Sequence, residues 1–75
     1  MRTVKIKSNE ELNVEDKVLR TGHSSAGGPQ KGQLYTVSSI SVYSKSAIKL
    51  SEVDFLWHID YFEKVLPNRK LKVMQ

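Results

Sequence analysis

The chain contains no cysteine. A disulfide framework and a thiolate metal site are thereby excluded, so a domain of 75 residues must hold together by hydrophobic packing or self-association. Glycine and proline are scarce, and all four glycines, with one of the two prolines, fall inside Gly22–Gly32, GHSSAGGPQKG. No apolar run approaches the length of a membrane span. The first residues, MRTVKIKSNEE, lack the apolar stretch and small residues of a secretory leader. The chain is therefore expected to be a single cytoplasmic domain, residues 1–75, with no membrane partner.

No long helical periodicity is present either, whereas alternation is frequent. In TVKIK (Thr3–Lys7) Val4 and Ile6 point one way and Lys5 and Lys7 the other, the period of a half-buried strand. SNEELNVED reads as a polar turn with one helical turn opened by Ser8 as N-cap, Glu11 standing at capping-box spacing. KVLRT (Lys17–Thr21) is a second strand. LYTVSSISVY (Leu34–Tyr43) is the strongest, rich in β-branched and aromatic residues. Its apolar phase runs through Tyr35 and Val37, then shifts to Ile40 and Val42, which predicts a bulge or sharp bend at Ser38-Ser39. SAIKL follows a tight turn at Ser44-Lys45. FLWHIDYFEKV, with four of the six aromatic residues, is read as a strand, a 3₁₀ or helical turn, and a further strand. After Pro67-Asn68, RKLKV alternates again. The expected fold is all-β, a small barrel of five to six short strands.

Asp16-Lys17-Val18, then Lys31-Gly32-Gln33-Leu34-Tyr35-Thr36-Val37, Trp57, and Phe62-Glu63-Lys64-Val65 together carry a resemblance. Their order, over residues 14–65, resembles small SH3-like barrel domains of the type encoded by bacteriophages, related in layout to KOW-type modules. The resemblance implies that Val18, Tyr35 and Val37 fill the barrel, that Trp57 and Phe62 close it, and that residues 1–7 and 68–75 flank it as basic strands. It also implies a regulatory module that binds nucleic acid or a protein, with a role in host takeover in the host cytoplasm.

Chemistry of other kinds finds little support. The glycine-rich loop lacks the Gly-x-x-x-x-Gly-Lys-Ser/Thr order and leads into a strand, so no helix N-terminus receives a phosphate. His23 and His58, without cysteine or spaced carboxylates, make no metal set. There is no Gly-x-Ser-x-Gly elbow. No catalytic residue, metal or cofactor is expected, and the loop itself reads as a flexible connector between strands.

The net charge of +4 is clustered, with seven of the twelve basic residues being Arg2, Lys5, Lys7, Lys64, Arg69, Lys70 and Lys72. If TVKIK and RKLKV lie adjacent, Lys5, Lys7, Lys70 and Lys72 form a stripe suited to a phosphate backbone. Arg20, Lys31 and Tyr43 are secondary candidates, the tyrosine as a stacking platform. RNA or single strands are slightly preferred. The alternative is a protein-binding module that inhibits or redirects a host enzyme, with His23, Trp57, His58 and Tyr61 as contacts. Self-association through an uncovered strand edge, giving a homo-oligomer, is the third outcome considered.

Overall fold

The computed structural model describes residues 2–66. Six antiparallel strands form one open sheet: β1 Thr3–Lys5, β2 Lys17–Arg20, β3 Leu34–Ile40, β4 Ala47–Leu50, β5 Leu56–His58 and β6 Phe62–Val65, in the order β1-β6-β2-β3-β4-β5. Two 3₁₀ turns, Asn9–Glu11 and Ile59–Tyr61, complete the secondary structure of these residues. Among the described residues no helix is long and apolar enough to cross a membrane. The expected all-β architecture of five to six short strands is present, and in the described residues the sheet is open, with β1 and β5 at its edges. RKLKV, with Lys70 and Lys72, lies outside the described residues, and β1 pairs with β6 through Thr3↔Val65, Val4↔Lys64 and Lys5↔Glu63.

The period-2 alternation sets the core. Val18, Tyr35, Val37, Ile48, Leu50 and Phe62 come from four strands and meet Ile6, Leu12 and Ile59, with Ile40, Val53 and Trp57 packed alongside. The expected shift in β3 is there: the register against β4 slips between Val37 and Ser39. The extra residue lets Val37 face Leu50 and Ile40 face Ile48 in one core. FLWHIDYFEKV also folds as read, as β5, a 3₁₀ turn and β6. Trp57 is half-buried, and its indole N–H donates to the Asp54 carbonyl.

Two expectations are corrected. Val4 is not a core residue: it is 42% exposed, because β1 stops at Lys5 and only Ile6, beyond the strand end, turns inward. The third strand stops at Ile40 rather than Tyr43, since the Ser41 hydroxyl accepts from the amides of Tyr43 and Ser44 and curls the chain into a turn that leaves Val42 and Tyr43 exposed.

The Ser8 hydroxyl caps the first 3₁₀ turn by accepting from the Glu10 amide, while Glu11 reaches back to the Lys7 amide rather than to Ser8. Asn9 is buried and ties this turn to the β3–β4 connection: its backbone N–H donates to Lys45 O, and its Nδ2 lies 3.1, 2.8 and 2.8 Å from the carbonyls of Ser41, Ser44 and Ala47.

On the outer side of β2 and β3, Lys17 Nζ donates to Thr36 Oγ1, and Thr36 donates through both its amide and its hydroxyl to Glu52. Desolvation pushes the Glu52 carboxyl up, but the Thr36 hydrogen bonds and the Lys17 charge outweigh it and hold the pKa below 4.5. A carboxylate depressed in the folded state stabilises it fully above its unfolded pKa and loses that contribution as pH falls through the folded one. In urea titrations, Glu52→Gln is expected to be less stable than the parent at neutral pH, with the gap closing in acid below pH 4.5. A gap independent of pH would remove Glu52 as its source.

Candidate functional site

Strand alternation places Arg20 on the same face as Val18, inward, opposite Phe62. Its side chain is 4% exposed. The guanidinium lies over three rings, with Cζ 4.9 Å from the centroid of Phe62, 5.1 Å from Tyr61 and 6.0 Å from Trp57. Nε donates to the His23 carbonyl at 2.9 Å and Nη2 to the Ser25 hydroxyl at 3.3 Å. Nη1 is buried with no hydrogen-bond partner among the described residues. No carboxylate pairs with Arg20 in residues 2–66, and residues 67–75 contain no Asp or Glu. Burial lowers its pKa from the ordinary arginine value, with Tyr61 and Tyr35 acting in the opposite sense.

The glycine-rich segment covers this arginine. Thr21 and Gly22 donate to Tyr61 O at one end, and Gly32 donates to Arg20 O at the other. Between them the loop is bonded largely to itself, Ser25 N to Pro29 O, Gly28 N to Ser25 O, Lys31 N to Ser24 Oγ, and Gln30 Nε2 to the carbonyls of Ser25 and Gly28, while Gln30 N donates to the Tyr35 hydroxyl of β3. Two glycines are required by close approach. A Cβ on Gly22 would collide with the Tyr61 ring and one on Gly28 with the Trp57 indole. The expected connector is thus a built cover that sits on two aromatic side chains, with its own Pro29 buried.

Beside the cover, three rings form a row. The His23 and Tyr61 centroids are 6.5 Å apart with the planes tilted by 44°, and His58 meets Tyr61 edge-on at 6.2 Å and 73°. Tyr61 is 44% exposed and both histidines are exposed. His58 Nδ1 accepts from the Asp60 amide, which caps the second 3₁₀ turn and fixes the ring's place. An open groove floored by Ile6, Ile59 and Phe62 adjoins, with Lys5, Asp60 and Glu63 around it.

The structure therefore brings together Arg20, His23, Trp57, His58 and Tyr61, residues that the sequence divides between two partner classes. Exposed Lys31 lies in the same loop, its backbone N–H donating to the Ser24 hydroxyl. Lys5 stands opposite Glu63 across β1 and β6, so the described part of the basic stripe is laced with acid. Lys7 is exposed beside Glu11. Tyr43 is fully outside, 97% exposed, in the β3–β4 turn. Arg20, expected as an exposed contact, is instead enclosed. Its phase in KVLR carried that information, since Lys17 and Leu19 occupy the other face. Ser24 and Ser25 were not singled out, and nothing local marks them.

Known protein families, curated proteins and solved structures were compared with the chain, and none matches it.

Proposed function

We propose that this chain is a non-enzymatic regulatory module that binds single-stranded nucleic acid on the His23–Tyr61–His58 face. The row of exposed rings carries the reading: bases stack on aromatic and imidazole faces whatever their sequence. Lys31 in the loop and Lys5 on the groove with Asp60 supply positive charge for phosphates, and Arg69, Lys70 and Lys72, outside the described residues, are further basic residues of the sequence. RNA is favoured slightly over DNA. The SH3-like, phage-type layout is part of the same proposal, as is a role in host takeover.

A fluorescent single-stranded RNA titrated with the protein at rising salt tests it. Affinity is expected to fall steeply as salt rises, through release of counterions, and Tyr61→Ala is expected to weaken binding about 10- to 100-fold, the worth of one stacked base. Absence of binding to mixed RNA and DNA at low salt overturns the reading.

Phe55 favours the protein-binding alternative. Its backbone has φ of 72°, a conformation costly for a bulky side chain, and its ring is 74% exposed beside exposed Leu56. A stoichiometric protein partner that survives nuclease treatment, and that Phe55→Ser abolishes, would decide for it.

A further inference from the structure

A guanidinium buried without a carboxylate is an expensive group to keep inside a domain this small. Among the described residues its charge is met only by a carbonyl, a hydroxyl and three ring faces. One of its nitrogens has no acceptor among the described residues. The cover above it has a matching peculiarity. From His23 to Pro29, the only hydrogen bonds to residues outside the loop, among the described residues, are the two that Arg20 donates. The same side chain is thus an unsatisfied cation and the polar latch of the segment that hides it.

We propose that Arg20 is the receptor of an oxyanion, a phosphate group, which takes the guanidinium's donors from His23 and Ser25 and thereby releases the His23–Pro29 cover. Two oxygens of a tetrahedral phosphate match the planar donor fork of a guanidinium, and bonds to an anion are roughly twice as strong as those to neutral acceptors. The exchange replaces the two neutral acceptors of Nε and Nη2 with charged ones. What opposes it is the packing of Gly28 on Trp57 and of buried Pro29. Tyr61, whose ring lies over the same guanidinium and also in the exposed row, joins the two places, so a base stacked there sets its phosphate near the latch. This placement rests on the nucleic-acid reading above; the phosphate receptor itself does not.

The test follows the Arg20 Nε–Hε resonance and the His23–Gly28 amides by ¹⁵N NMR while the protein is titrated with pyrophosphate, and separately with a single-stranded oligonucleotide. Saturable, concerted shifts of both sets with pyrophosphate are expected. Arg20→Met, which preserves much of the packing without charge, is expected to lose at least about ten-fold in pyrophosphate affinity, the share of a charge-assisted hydrogen bond. An unmoved Nε–Hε signal across the pyrophosphate titration overturns the proposal, as does unchanged affinity in folded Arg20→Met. The wild-type titration decides alone if that variant does not fold. An oligonucleotide that binds and leaves Arg20 unmoved overturns the receptor while the nucleic-acid reading stands. Pyrophosphate that moves Arg20 when no oligonucleotide binds supports the receptor, and the nucleic-acid reading falls.

Discussion

Asn9→Asp is expected to leave most of the protein unfolded at neutral pH. The substitution changes one group, and that group is 2% exposed. The Asn9 Nδ2 has two hydrogens to share among three carbonyls, those of Ser41, Ser44 and Ala47. An ionised carboxylate has none, so all three carbonyls lose this donor and face a negative oxygen, although Ala47 O keeps the Ser41 amide and exposed Ser44 can turn to water. Each unsatisfied buried group costs about 1–3 kcal/mol, against a total stability of roughly 4–11 kcal/mol for a chain of this length. The damage has a pH signature. The introduced carboxyl, its charge disfavoured in the fold, has a raised folded pKa, so the penalty shrinks as pH falls through that value and a proton restores one donor. Circular dichroism and urea unfolding should show the variant gaining stability on mild acidification. A variant as stable as the parent at neutral pH would mean that Asn9 does not pin the 3₁₀ turn to the β3–β4 connection.

Phe62→Ala has the second large effect, an expected loss of about 3–5 kcal/mol. Phe62 is 2% exposed, pairs with Arg20 across β6 and β2, and presents the ring closest to its guanidinium. Alanine removes both the volume that fills the sheet's centre and one face of the arginine's enclosure. Phe62→Leu separates the two: it keeps most of the volume and is expected to lose only about 1–2 kcal/mol, while the arginine loses a cation–π contact. Trp57 fluorescence during urea unfolding reads both variants. Equal losses for alanine and leucine would assign the stabilisation to the ring rather than to filled space.

The parts of this fold legible in the sequence are those in which neighbouring residues decide. Alternation marks the strands, the slip from Val37 to Ile40 marks the bulge, and the dense aromatic stretch from Phe55 to Phe62 reads as strand, turn and strand because too few residues are available for a helix. Val4 misleads because alternation says which side a residue points to, not whether anything covers it, and at a sheet edge little does. The site is less legible. The phase of Arg20 was readable, but its enclosure depends on Tyr61 and Phe62, some forty residues away. The glycines of the loop announce close approach without saying to what. The partners are Tyr61 and Trp57, and only the sheet order brings them near.

Among the described residues the two edges of the sheet are only three residues each. Cross-β stacking needs segments of roughly six or seven residues with little charge, and neither edge can supply one. Lys5 ends the first, and the left-handed kink at Phe55 bends the chain just before the second. Within the described residues, Phe55, Leu56 and Tyr43 therefore stand in the open without a long backbone template beside them, and stickiness of side chains is kept apart from the ladder that would turn it into fibrils.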